Sequence, residues 1–239
     1  MIKFFRKIRY NLMSENKTSP NDSGGRAGKY FKYAIGEIIL VVIGILIALQ
    51  INNWNETRKH AIAEKEFFKS ITNDLNQDLK FINYVQRYLK PKTDAYNLLN
   101  SKYSTDYENH KTQIDSLMSI YLFSGQRTFY PVSGAFKSAI AGNEINTFSQ
   151  KSNIQSIIKL YGSNYDRLID NGKIVDERWS HLSKKYIHYR RTNAFNDVNN
   201  ITYTKMLDDF HFHYIQLNWY NKILDETKIE VNQLLKKLQ

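Results

Sequence analysis

The chain contains no cysteine. That excludes disulfide frameworks, cysteine-ligated zinc, iron–sulfur clusters and thiol nucleophiles. It leaves the redox compartment open, because a cysteine-free chain suits either side of a membrane. Only three prolines and ten glycines punctuate 239 residues. So few breakers argue for long helices and against a many-turned β architecture. Catalytic signatures are missing too: there is no Gly-rich phosphate loop, nucleophile elbow, HExxH or paired-carboxylate motif. No catalytic residue, cofactor or metal ligand set is therefore expected, and enzyme activity is the lesser reading. The chain is 42% hydrophobic and 24% charged, a globular profile rather than a disordered one.

The net charge is +11, and its placement matters more than its size. Residues 1–33 hold eight basic residues against Glu15 and Asp22, so +6 of the +11 lies there. A basic stretch beside an apolar run points to a membrane surface rather than to nucleic acid, which is not expected as a partner.

Residues 38–49 carry no charged or strongly polar side chain, and ten of the twelve are Ile, Leu or Val. At roughly −0.3 to −0.6 kcal/mol each near a helix centre they favour insertion by about 3–6 kcal/mol. Residues 34–51 give a helix of ~27 Å, just enough for a hydrocarbon core. Glu37 is the opposing residue, since an acid at the bilayer centre costs about 2.5–3.5 kcal/mol. It lies one turn inside the boundary and near the start of the helix, where water and the dipole favour a negative charge. Tyr30 and Tyr33 before the run, and Trp54 among Asn52, Asn53 and Asn55 after it, suit the two interfaces. A cleaved signal peptide fits less well: the nearest small-x-small site, Ala61-Ile62-Ala63, lies too far beyond the run. The basic bias predicts a cytoplasmic 1–33 segment, a span at 34–51 in the lipid bilayer, and an extracytoplasmic domain over 52–239. Gly44 and Ala48 form a small-xxx-small pair on one face of the span, a candidate surface for helix association and a homo-oligomer.

The start MIKFFRKIRYNLMSENK and the run KYAIGEIILVVIGILIALQINNWNETRK together resemble a large family of single-pass membrane proteins from Bacteroidota whose function is not established. The resemblance rests on residues 1–17 and 30–59. It implies a Gram-negative inner membrane and a periplasmic domain, and it brings no activity, cofactor or site residue.

Beyond the span, Phe68, Ile71, Leu75, Ile82, Val85 and Leu89 recur at three- and four-residue steps, with Asp78 interrupting one position. This predicts a long amphipathic helix over 60–90 that ends before Pro91. It serves either as one wall of an intramolecular bundle or as a self-pairing stalk. Thr112 with Asp115 reads as a capping box. Helical stripes follow through Ile114–Leu122, from Ser133 to Gly142, and from Ile154 to Ile169, with a break or kink at Asn171-Gly172. The pattern resumes at Trp179–Tyr189. Two closing helices run through Met206–Leu217 and Leu224–Leu238. The predicted class is all-α: a single N-terminal transmembrane helix followed by a helical bundle.

Three groupings are candidates for chemistry. The segment 125–146 packs Gly, Pro, Arg, Tyr and Glu around one short helix. Arg127, Tyr130, Ser133 and Glu144 are its candidate ligand residues, and the helix start at Ser133-Gly134 is a candidate anion seat. His211 and His213, two apart, point ~200° away from each other on a helix and so do not share a metal there. Lys184, Lys185, His188, Arg190 and Arg191 interleave with Tyr186 and Tyr189, a pattern for anionic polymers or headgroups and equally for a solvated face. The leading expectation is a non-enzymatic envelope protein that binds an unknown envelope protein or ligand, or scaffolds an assembly. A sensory input module is the runner-up, weakened by the short cytoplasmic segment, and a periplasmic enzyme with a dispersed site is the third reading.

Overall fold

The computed structural model describes Tyr10 and residues 26–238. Most of the basic 1–33 segment and the 1–17 part of the resemblance lie outside the described residues. The described residues form helices and connecting loops with no strand, as the sparse breakers predict. The chain divides into two compact units, Met1–Lys59 and His60–Gln239.

Helix α1 (Arg26–Lys102) opens with the apolar run. In the first unit this is one helix near the N-terminus long and apolar enough to cross a membrane, and none of its apolar window is buried. A soluble core helix of this composition would be covered by protein, and this one is not. Glu37, Gly44 and Ala48 are all exposed. A Cβ placed on Gly44 would meet nothing within 4 Å, so the small-residue face is open.

The second unit is a bundle. From His60 to Lys102, α1 packs with α4 (Lys151–Lys159), α5 (Tyr165–Lys185) and α7 (Asn200–Leu238). The stripe from Phe68 to Leu89 is buried within the chain and joins Leu217, Leu224, Val231 and Leu234 of α7 in one core. It is therefore a wall of an intramolecular bundle, not a self-pairing stalk. A second core gathers Tyr96 and Leu99 of α1 with Trp179, Met206 and Phe210. To these it adds Ile114, Met118 and Tyr121 of α2 (Lys111–Phe123). Two short helices, α3 (Gly134–Ala141) and α6 (Ile187–Thr192), complete the set.

Several sequence expectations are corrected here. Helix α1 does not end before Pro91 but runs through it. Pro91 and Arg87, the residue four back whose carbonyl it leaves unbonded, are both exposed. Water can satisfy that carbonyl, so the proline does not stop the helix. The Asn171-Gly172 break is absent: α5 is continuous, and the irregularity lies earlier, in a π-helical turn at Leu160–Asn164. The two closing helices are one, because Leu217, Tyr220, Ile223 and Leu224 carry the buried stripe across the supposed gap. The Thr112–Asp115 capping box does not form. Helix α2 starts at Lys111, and Asp115 instead pairs with the Lys111 amine at 2.8 Å and accepts from the Tyr107 hydroxyl at 2.7 Å. A reciprocal cap does occur at α7. The Thr202 N–H donates to Asn199 Oδ1 at 2.9 Å and the Asn199 N–H to Thr202 Oγ1 at 2.8 Å.

Candidate functional site

Between α2 and α3 the chain runs without regular structure through residues 124–133, and part of this strap is buried: Thr128 and Phe129 lie in the interior. A buried extended segment has no helix ladder, so each enclosed backbone group needs another partner or loses about 1–3 kcal/mol. The bundle supplies polar side chains for this purpose. Lys92 on α1 donates to the Ser124 carbonyl at 3.3 Å and the Gly125 carbonyl at 3.0 Å. The Phe129 N–H donates to the Tyr220 hydroxyl oxygen at 2.8 Å. The Val132 N–H donates to Asp78 Oδ1 at 2.8 Å, and the Tyr161 hydroxyl donates to the Val132 carbonyl at 3.1 Å. Thr128 turns its hydroxyl to Asp176 at 2.6 Å. Its methyl lies so close to α5 that a Cβ on Gly172 would sit 2.3 Å from it. Gly172 is thus a packing residue beneath the strap rather than a helix breaker.

The electrostatics follow from this burial. Asp78 is 1% exposed. Desolvation pushes its carboxyl up to about 6, against the opposing hydrogen bonds from Val132 and from the Tyr165 hydroxyl, with Asp74 adding to the rise. Asp74, one turn earlier, is raised by burial, with the nearby Ala135 N–H opposing the rise. These two carboxylates face the start of α3. Acids beside the start of a helix are the arrangement its dipole favours. Glu64 does the same at α4, accepting from the Gln150 N–H and the Ser149 hydroxyl, both at 2.8 Å. Burial opposes its ionisation, but these bonds and Lys151 hold it below the usual carboxylate range.

Lys92 is also 1% exposed. Its amine lies 3.2 Å from the Trp179 ring centroid and 5.9 Å from that of Tyr121. Desolvation, then the Arg190 charge, lowers it to about 7; the indole face favours the charged form and opposes them. His213 accepts from or donates to the Tyr121 hydroxyl at 2.7 Å. Burial, then Lys92 and Arg178, lowers it to about 3. Amines and acids displaced toward neutrality are common in active sites. Here Lys92 and Asp78 both hold backbone; Lys92 also lies against the Trp179 ring, and Asp78 also accepts from the Tyr165 hydroxyl.

The sequence-predicted residues fall on either side of this strap. Arg127 is exposed, its guanidinium 5.7 Å from the centroid of the Tyr88 ring. Tyr130 and Glu144 are exposed and Ser133 is half-buried. Ser133 makes no side-chain cap bond. Among the described residues no hydrogen bond or ion pair joins the four. His211 and His213 point apart as their spacing requires: His211 meets the Tyr96 hydroxyl, while His213 faces Tyr121 and Trp179. In the basic–aromatic run, the exposed Lys185 and the buried Tyr186 both bond to Asp209, and Arg190 reaches Ser183.

Sequence reading missed Lys92, Asp74 and Asp176. The available signal was Asp78 in an otherwise apolar stripe, with Asp74 four residues before it on the same face.

A family model described as a family of unknown function, DUF6090, matches residues 37–197. It thus extends from the apolar run through the strap to α6, well past the N-terminal residues on which the resemblance was read. No curated protein and no solved structure matches the chain.

Proposed function

The chain belongs to DUF6090, a family of unknown function, and from its own residues we propose that it is a membrane-anchored helical protein that binds an envelope partner or scaffolds an assembly. In this reading residues 1–33 stay in the cytoplasm, 34–51 cross the inner membrane of a Bacteroidota cell, and 52–239 form a periplasmic domain. The basic bias of the first 33 residues supports the orientation, and the open, exposed apolar helix supports the anchor. The boundary position of Glu37 lets its carboxylate reach headgroups or water. The Gly44–Ala48 face offers close approach to a second membrane helix.

The observation that carries the binding reading is the use of the core's polar groups. Lys92, Asp78, Tyr220 and Tyr161 bond the strap's backbone. Recognition then falls to exposed surfaces rather than to an interior pocket. A ligand at Arg127, Tyr130, Ser133 and Glu144 has less support, because no hydrogen bond or ion pair among the described residues joins these side chains. Purification of the full chain from detergent-solubilised membranes tests the reading. A partner, or further copies of the chain, should be retained at fixed stoichiometry. Recovery of the protein alone as a monomer would sink it. A co-purifying signalling protein would favour the sensory alternative.

A further inference from the structure

Two segments of the bundle contain no acid: residues 79–93 of α1, and residues 116–143, which include the strap and α3. Both carry exposed cations, Lys80, Arg87 and Lys90 in the first, Arg127 and Lys137 in the second. The acids that bond to these segments from elsewhere are engaged in doing so. Asp94 pairs with Lys90 at 2.8 Å. Asp225 accepts from Gln86 at 2.7 Å and Asp176 from Thr128 at 2.6 Å. Asp78, itself buried, accepts from Val132. Among the described residues Lys80, Arg87 and Arg127 form no ion pair.

The two segments meet at Tyr88. Arg127 lies 5.7 Å from the centroid of its ring, and a Cβ on Gly125 would sit 2.5 Å from its hydroxyl. Tyr84, one turn earlier, is 40% exposed, and its ring centroid lies 6.0 Å from that of Tyr88. Lys80, Tyr84 and Arg87 follow one another at steps of four and three and are all exposed, so they share the outward side of α1. Three cations and two tyrosines therefore form one surface. We propose that this surface docks an acidic, extended segment of a partner protein, whose carboxylates meet Lys80, Arg87 and Arg127 and whose other side chains lie on Tyr84 and Tyr88. The uncompensated positive charge selects an anionic occupant. Tyrosine and arginine are the residues that dominate contacts between proteins, and the guanidinium fork matches a carboxylate with two parallel bonds. An extended peptide sets alternate side chains about 6.7 Å apart, close to the ~6 Å between helix positions four apart, so alternating acids can follow α1. This inference deepens the partner reading above and rests on it for the source of the segment.

The test uses the full chain in detergent micelles and a fluorescent peptide in which Glu alternates with Ala. The peptide should bind, its affinity should fall as salt is raised, and replacing each Glu by Gln should weaken it at least tenfold. Arg87→Glu combined with Arg127→Glu should also weaken binding by about tenfold or more. Lys65→Glu combined with Lys69→Glu changes the net charge equally on the same helix, ~27 Å from Arg87 at its nearer residue, and should leave binding within about twofold, because salt screens at about 8–10 Å. Tyr84→Ala alters no charge; it should weaken binding several-fold and keep the salt dependence. All five positions are exposed, so the fold should tolerate the changes. Equal losses from the two double variants would mean attraction to net charge alone and overturn the proposal. So would no binding of the peptide, or tighter binding of alginate through the same arginines, which would give the surface to an anionic polysaccharide. An envelope partner still retained by the Arg87→Glu, Arg127→Glu chain would overturn this inference and leave the partner reading standing.

Discussion

Lys92 and Gly172 show how single residues answer to the strap rather than to solvent. Above its ordinary pKa of 10.5 the Lys92 amine is neutral in both the folded and the unfolded chain. As pH falls from there toward about 7, the unfolded chain gains the proton first, so stability is withdrawn. Stability should therefore rise from pH 7 to pH 9, before the buried tyrosines, whose hydroxyls are raised by burial, begin to oppose it. Lys92→Met should remove about 1–3 kcal/mol by leaving two carbonyls unpaired and flatten that rise. Denaturant midpoints across this range decide it, and an unchanged slope would mean the amine is not the titrating group. Asp78 has the opposite sign, since a raised acid withdraws stability as pH climbs through about 6. At Gly172 a methyl would meet the Thr128 methyl carbon at 2.3 Å. Gly172→Ala should lose about 1–3 kcal/mol to overpacking, outweighing an alanine helix preference of about 1 kcal/mol. Thr128→Ser removes the obstructing carbon, so adding it should recover most of the loss. A destabilisation that persists in the double variant would place the strain elsewhere.

At the scale of elements, the helices were largely legible in the sequence and the strap was not. The spacing of Phe68, Ile71, Leu75, Ile82 and Leu89 located the buried face of α1, because burial of a helix repeats at three and four residues. Spacing cannot say whether such a face meets its own chain or another, and only the positions of Leu217, Leu224 and Val231 answered that. Pro91 misled because proline can kink a helix without ending it where the lost hydrogen bond falls on an exposed side. The strap was opaque for a different reason: its partners, Lys92, Asp78, Tyr220 and Asp176, come from three helices distant in sequence, and no local pattern joins them. Of the candidate ligand residues, Arg127, Tyr130 and Glu144 are exposed and Ser133 is half-buried. Exposed Arg127 and Tyr130 look chemical, while the buried residues that contact this segment belong elsewhere in the chain. Asp78→Leu should leave the Val132 N–H and the Tyr165 hydroxyl without an acceptor, at a cost of about 2–5 kcal/mol. Limited proteolysis should then cut within 124–133 faster than in the native chain, and Asp78→Asn should show a smaller effect. Equal cleavage in all three proteins would mean the strap is held by its side chains alone.

The whole molecule joins an apolar helix to a bundle, and the topology proposed for it rests on charge placement and span position. A reporter fused after residue 60 should be active only outside the cytoplasm, and cytoplasmic activity would reverse the orientation. Ile43→Glu should sharply lower membrane insertion, since an acid mid-span costs about 2.5–3.5 kcal/mol, whereas Glu37→Ala should barely change it. Equal effects from the two changes would move the boundaries of the span.

The clasp of α1 against α7 also dictates an order of events during synthesis. Gln86 bonds to Asp225 across 139 positions at 2.7 Å, and Val231, Leu234 and Leu235 complete the core that Phe68 begins. The first helix of the bundle must therefore wait for the last. While the ribosome makes residues 103–199, the apolar side of α1 lacks the cover that α7 supplies, and long-range closure of this kind is slow and prone to aggregation. Nascent chains stalled at residue 199 should be held by chaperones and remain sensitive to protease, and those that have released α7 should become resistant in a single step.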